Sequence, residues 1–385
     1  MREVFITNHN IISSLGFDSE SNFKNLIKQK SGIVQHKRKN GEFYYSSIVD
    51  KDKVDQFFIS IGDINLYTTL EKMMILSVYK LLKESKFKIT DRTALIISTT
   101  KGNIDVLSPD SNFKEDKKRA YLAELGKKIR IFFEIKNEAI VLSNACVSGV
   151  LALSVADRLI RSEMYDDIII VSGDLVTEFI LSGFTSFQAI SDKPCKPFSK
   201  NRTGINIGEA IASALISSDK SRSKQAVQII GSGSCNDANH ISGPSRTGEG
   251  LFLSVRSALK EAQISEKEID FISAHGTATN FNDEMESVAF SRLKMLSIPL
   301  NSLKGYYGHT LGASGLLETI IGIESLYHNT LIASMGFDEL GVTYPINVIK
   351  KTIKKELNIF LKTASGGSVK GTAGPFLVKR ASMPS

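Results

Sequence analysis

The feature that most constrains this chain is a set of short runs that are apolar almost throughout. They are TALIIST (93–99), EAIVLSNA (138–145), DIIIVSG (167–173), AIASALIS (210–217), IDFISA (269–274) and NIFLKTA (358–364). A strand with one wet face alternates apolar and polar residues, so continuous runs suit strands covered on both faces. Between them, LEKMMILSVYKLLKES, CVSGVLALSVADRLIRS, GLFLSVRSALKEA and GLLETIIGIESLYH carry apolar residues at helical spacing. Strands covered on both faces and interleaved with amphipathic helices predict an α/β fold.

At 385 residues the chain exceeds a usual single domain, so it holds two domains or one large layered one. The polar stretch SSDKSRSKQ (217–225) separates halves of comparable size with the same strand and helix alternation. The division is placed between residues 1–218 and 219–385. Direct sequence repetition between the halves is not visible. With 42% hydrophobic and 23% charged residues, disorder is excluded on composition. The opening MREVFITNHNIISSLGF lacks a signal-peptide pattern, and no window approaches the roughly 18 apolar residues that span a bilayer. A soluble cytoplasmic protein with no membrane association is expected. Three cysteines without a CxxC pair or a disulfide-like framework fit a reducing compartment.

The balance of 48 Lys+Arg against 41 Asp+Glu, a formal charge of +7, favours an acidic partner. The richest basic cluster, Lys117, Lys118, Arg119, Lys127, Lys128 and Arg130, reads first as a solvated helix face. No zinc-finger spacing, RNP-like aromatic motif or basic arm is present, so nucleic acid is not the expected partner.

Three elements bear chemistry. Cys146 follows a strand-like run and precedes an amphipathic helical one, which places it at a strand-to-helix elbow. A helix N-terminus favours a thiolate, and its backbone N–H groups can receive an oxyanion. Position alone fits a small buried residue equally well. His275 ends a strand in IDFISAHGTATNFNDEMES, followed by the hydroxyls of Thr277 and Thr279. Asp283 and Glu286 then open a helix, where capping and dipole complement explain them at least as well as catalysis. His309 lies in NSLKGYYGHTLGASGLLETI, with Lys304 before it and Glu318 one to two turns into the next helix. Two histidines in strand-exit loops and one elbow cysteine form a demanding coincidence. No metal-ligand spacing such as HExxH occurs, so no metal is expected.

These motifs resemble the β-ketoacyl synthases of the thiolase superfamily, in the elongating class with a Cys-His-His triad. The resemblance runs nearly end to end. VFITNHNIISSLG is similar to the family's opening, NACVSG to its nucleophile elbow, and AHGTAT and KGYYGHTLGASGLLE to its two histidine motifs. PFSKNRTGINIGEA, DANHISGP and GDLVTEFILSGFTSFQAIS resemble further signatures. The resemblance implies a thiolase-like fold of two similar αβαβα halves with the active site between them. It implies decarboxylative Claisen condensation of an acyl thioester with malonyl-acyl carrier protein, in fatty-acid or type II polyketide or polyene biosynthesis. No cofactor is implied, since substrates ride on the phosphopantetheine of acyl carrier protein. The implied partners are that carrier and a second ketosynthase-like chain, in a homodimer or a heterodimer.

Carried over by position, Cys146 would take the acyl chain while His275 and His309 stabilise the enolate left by carbon dioxide. Lys304 would act on His309, with Glu318 and Asp283 supporting the network. Thr277 and Thr279 would contact the pantetheine arm, and Phe184 and Val369 would line the substrate. Near the C-terminus the chain reads SGGSVKGTA (365–373) where the family has N-S-F-G-F-G-G-T-N, which puts Val369 at the gating phenylalanine. Asn8 replaces a common glycine and Thr203 an aspartate. These departures point to a specialised polyketide or polyene role. A non-catalytic chain-length-factor-like subunit is the alternative reading, and such subunits usually lack the nucleophile. Thiolases typically carry a second cysteine in place of one histidine. Initiating synthases typically carry an asparagine in place of a histidine.

Overall fold

Every apolar run named above contributes a strand, and the computed structural model shows where each goes. It describes residues 2–38, 40–113, 116–237, 245–366 and 371–381, with the backbone alone at 237 and 371–373. Ten strands form one path: β1 (Phe5–Ser13), β2 (Thr93–Ser98), β3 (Ile140–Leu142), β4 (Asp167–Asp174), β5 (Ala210–Ser217), β6 (Val227–Ser232), β7 (Phe271–Ser273), β8 (Leu300–Asn301), β9 (Ile359–Ser365) and β10 (Gly371–Arg380). Their order is β8-β7-β9-β10-β6-β1-β5-β4-β2-β3.

The path contains the same five-stranded sheet twice. Outward from the β1/β6 junction, one half runs β1-β5-β4-β2-β3 and the other β6-β10-β9-β7-β8, which is first, fifth, fourth, second, third in each. In both, the two inner pairings are antiparallel and the two outer ones parallel. The sheets meet where Phe5 pairs with Gln228 and Ile6 with Val227, and the Ile229 N–H donates to the Val4 carbonyl at 2.9 Å. The duplication that the residues do not reveal is thus plain in the topology. We propose the division between the halves at 218/219, in the connection from β5 to β6.

The helices complete the layers. α1 (Thr69–Ser85) starts at a capping box between Thr68 and Glu71 and lays Met73, Met74 and Ile75 on Leu95, Ile169 and Val171. α2 (Ser148–Arg161), α3 (Glu249–Ala262), α4 (Asn280–Arg292) and α5 (Ser314–Tyr327) follow. Consecutive β4 residues point to opposite faces. Ile169 and Val171 therefore join the outer core under α1, while Ile168 and Ile170 join a central core with α2 and α5. Phe360 and Phe376 reach that central core from the second sheet, and α3 and α4 cover its far side through Val255, Met285 and Phe290 against Ile272, Leu361 and Leu377. Both faces of each sheet are covered, which explains why the strands are apolar throughout. Among the described residues no helix is long and apolar enough to cross a membrane.

The central helices α2 and α5 cross at glycines. A Cβ on Gly149 would lie 2.7 Å from the Leu316 nitrogen, and one on Gly315 would lie 2.6 Å from the Val150 nitrogen. Both obstacles are backbone, which cannot turn aside. Gly149→Ala is expected to destabilise the protein by roughly 1–3 kcal/mol through overpacking, outweighing alanine's better helix propensity of about 1 kcal/mol. A denaturant midpoint equal to or above that of the unmodified protein would show that the two helices separate freely.

Candidate active site

Cys146 stands between β3 and α2. Ala145 before it takes a left-handed φ of 44°, a conformation that costs an L-residue energy and must be held by its surroundings. The clamp is Ser148, whose hydroxyl accepts from the Asn144 N–H at 2.7 Å and donates to the Ala145 carbonyl at 2.7 Å. The thiol is thereby set at the N-terminus of α2, where the helix dipole favours its anion. Cys195 differs: burial pushes its thiol up to about 12, and its Sγ donates to the Lys304 carbonyl at 3.3 Å. Cys235 lies on a short strand, Cys235–Asp237.

His309 belongs to the second half yet is anchored on the first. Its N–H donates to the Asn206 carbonyl at 2.7 Å, and its carbonyl accepts from Gly208 at 2.9 Å. Glycine is needed at 208, since a Cβ there would meet the Tyr307 oxygen at 1.8 Å. The ring Nε2 lies 2.8 Å from Cys146 Sγ. Its Nδ1 lies 3.3 Å from the Leu311 N–H and 2.9 Å from Ser314 Oγ. An amide N–H only donates, so Nδ1 accepts and the ring proton of the neutral imidazole sits on Nε2, facing Cys146.

His275 leaves the end of β7 with its N–H on Glu286 Oε1 at 2.9 Å, and Gly276 donates to Oε2 of the same carboxylate at 2.7 Å. The two imidazoles are edge to face, with centroids 5.3 Å apart. Donor atoms of Cys146, His275 and His309 all lie within 4.8 Å of one another. Burial, followed by the Lys304 charge, holds both histidines well below their ordinary pKa, with Lys362 adding to the effect. Two neutral imidazoles therefore face the thiol. The ammonium groups beside them oppose a cation at the same donor atoms.

The residues around the triad fall into place unevenly. Lys304 is fully buried and pairs with Glu318 Oε1 at 2.5 Å. Asp283 and Glu286 do not cap α4, whose first turn receives no side-chain cap. They instead face the AHGTAT loop: Asp283 accepts from the N–H groups of Thr277 (2.9 Å), Ala278 (3.2 Å) and Phe198 (2.7 Å). Thr277 and Thr279 share a hydroxyl contact of 2.8 Å. Phe184 packs beside Ile180, Leu181, Ile205, Ile207 and Leu311, two residues beyond His309. Val369 and most of DANHISGP lie outside the described residues.

In the basic cluster, Arg119 is buried in an ion pair with Glu71. Arg130 pairs with Glu138 and caps the Ile135 and Lys136 carbonyls. The solvated-face expectation fails for Arg119, which is consumed inside the fold, while Arg130 is half-buried beside the exposed Glu138 and Lys117, Lys118 and Lys127 are exposed. Sequence reasoning missed Lys362, which reaches Glu318 Oε2 at 2.5 Å. It also missed Asp174, whose carboxylate accepts from Thr99 Oγ1, the Thr100 N–H and the Gly312 N–H and so ties the turn after His309 to the loop after β2. The signal was available: a charged residue inside or closing a wholly apolar run is rarely buried without a task.

Residues 1–222 match the family model for the N-terminal domain of beta-ketoacyl synthase, and residues 226–338 match the model for its C-terminal domain. The 3-oxoacyl-[acyl-carrier-protein] synthase 2 of Rhizobium meliloti is 30% identical over 61% of this chain and 59% of its own. The Vibrio cholerae protein of the same name is 23% identical over 98% and 99%. A ketosynthase in complex with its chain length factor from Xenorhabdus doucetiae superposes with a TM-score of 0.87 at 23% identity, covering 99% of this chain and 98% of that one. With a duplicated sheet and a cysteine facing two buried imidazoles, the chain belongs to the beta-ketoacyl synthase family, the condensing acyltransferases.

Proposed function

We propose that the protein is a β-ketoacyl-acyl carrier protein synthase, joining a Cys146-bound acyl group to malonyl-acyl carrier protein with loss of carbon dioxide. The observation that carries this reading is the 2.8 Å contact between His309 Nε2 and Cys146 Sγ, with Nδ1 already occupied as an acceptor. The Cys146 thiolate attacks the acyl thioester carbonyl and releases the carrier thiol, leaving an acyl-enzyme thioester. Malonyl thioester then loses carbon dioxide, and its carbonyl oxygen gains the negative charge that the N–H donors of His275 and His309 receive. The enolate carbon attacks the acyl carbonyl, and the electron pair returns to Sγ as the thioester breaks. The product leaves on acyl carrier protein. Thr277 and Thr279 are assigned to the pantetheine arm, Phe184 and Val369 to the acyl chain.

No further cofactor enters this scheme. The pathway is fatty-acid, polyketide or polyene assembly, and the second subunit is an identical or ketosynthase-like chain. We place that subunit against β3, an edge strand whose three residues are all partly exposed and which ends four residues before Cys146. The catalytic reading is favoured over that of a non-catalytic subunit by the donor atoms of Cys146, His275 and His309, which lie within 4.8 Å of one another.

The reading is tested by carbon dioxide release from malonyl-acyl carrier protein. The working form of each imidazole is the neutral one, and its pKa lies well below 6.5. Release is therefore expected to stay flat from about pH 8 down to about pH 6 and to fall only in more acid solution. An acid limb centred near the ordinary histidine value would show that the imidazoles are exposed in solution and are not the buried donors described.

A further inference from the structure

Lysine is seldom fully buried, because desolvating an ammonium is expensive unless the fold supplies partners. Lys362 is fully buried in the middle of β9, a strand whose seven residues are all buried. Its partners are all parts of the site. The Nζ donates to the carbonyls of Ser273 and Ala274 at 3.1 and 3.2 Å, the two residues that lead into His275. It also forms an ion pair with Glu318 Oε2 at 2.5 Å, while Lys304 holds Oε1 of the same carboxylate at 2.5 Å. The next residue, Thr363, donates to Glu286 Oε1, the oxygen that receives the His275 N–H.

We propose that Lys362 is a positioning residue for the condensation chemistry, fixing the strand exit that carries His275 and sharing Glu318 with Lys304 so that both imidazoles sit beside a rigid pair of ammonium groups. The proposal rests on the reaction proposed above and adds to it a residue that none of the triad motifs contains.

The charges around the imidazoles come from each packed element: Lys304 from its short helix, Glu318 from α5, Lys362 from β9, Glu286 and Asp283 from α4, and the Cys146 thiol from its elbow. Glu318 lies between two cations and neutralises one of them. Glu286 and Asp283 spend their oxygens on backbone N–H groups of the His275 loop. The Lys304 and Lys362 cations act on both rings and disfavour a further positive charge on either. Burial lowers the pKa of Lys362 from its ordinary value, and Glu318 works against that fall.

The test compares the unmodified enzyme with Lys362→Gln, which keeps a donor without the charge, and with Lys362→Met and Lys362→Arg. Two quantities are read: carbon dioxide release from malonyl-acyl carrier protein, and the titration of isotope-labelled histidines by NMR, with six histidines in the chain to assign. In the Gln and Met variants kcat is expected to fall roughly ten- to hundredfold with KM held, the scale of a misplaced catalytic group. The His275 and His309 titrations should move to higher pH because a neighbouring cation is gone, and Lys362→Arg should restore the original titration. Unchanged kcat and unchanged imidazole titration would overturn the proposal even if the melting temperature fell, since that result describes a structural lysine. Failure of both the Gln and Met variants to fold would also reject it. An unmodified enzyme that releases no carbon dioxide removes the reaction itself, whereas one that does so beside unaffected variants removes only the role of Lys362.

Discussion

Cys146→Ala is expected to lose acyl-enzyme formation and condensation while still releasing carbon dioxide from malonyl-acyl carrier protein. Loss of a covalent nucleophile elsewhere costs about six orders of magnitude in turnover, and the elbow holds no second thiol to replace it. Cys195 is buried, with its thiol pushed up to about 12. Decarboxylation should survive because the thiol is not what holds the imidazoles. His309 keeps its backbone bonds to Asn206 and Gly208 and its Nδ1 contacts with Leu311 and Ser314 when Sγ is removed. His275 is fixed through Glu286. Intact-mass measurement after incubation with an acyl-carrier-protein thioester, beside carbon dioxide release, separates the two steps. Condensation by the variant at the rate of the unmodified enzyme would exclude Cys146 as the acyl carrier.

The parts of this fold that were legible in the sequence are those whose physics is local. A strand covered on both faces must be apolar along its length, so β2, β4, β5 and β9 could be read from residue type alone. β1 escaped that reading because FITNHNIIS carries polar residues in its centre, one of which finds a distant partner: the Asn10 amide donates to Ser77 of α1 at 3.1 Å. The repeated sheet order escaped because it is set by long-range pairing among interchangeable apolar strands. At the site, Cys146, His275 and His309 were marked by their loops, which hug glycines and small residues. Lys362 and Asp174 act through oxygen and nitrogen atoms of residues far away in sequence, so their task appears only once the strands are placed. Asp283 and Glu286 show the reverse case. Their position at a helix start suggested capping, and the structure turns them instead onto the backbone of the His275 loop.

His275→Ala and His309→Ala are each expected to lower malonyl decarboxylation by about two to three orders of magnitude, roughly 2.7–4 kcal/mol of lost stabilisation of the enolate oxygen. The two variants should differ in acylation. His309 faces Cys146 Sγ at 2.8 Å, so its removal takes away the nearest donor to the thiolate, yet the α2 N-terminus remains and some acylation should persist. The His275 backbone is tied to Glu286 and its ring meets His309 edge to face, so His275→Ala should acylate more nearly as the unmodified enzyme does. Both rings serve one oxyanion, and groups acting as a unit do not add. The double variant should therefore lose less than the product of the single losses. Each replacement also opens a cavity in a buried site, so melting curves belong beside the kinetics to distinguish a collapsed fold from a missing donor. A folded double variant that releases carbon dioxide at the unmodified rate would show that the charge developing on the malonyl carbonyl is held by groups other than these two imidazoles.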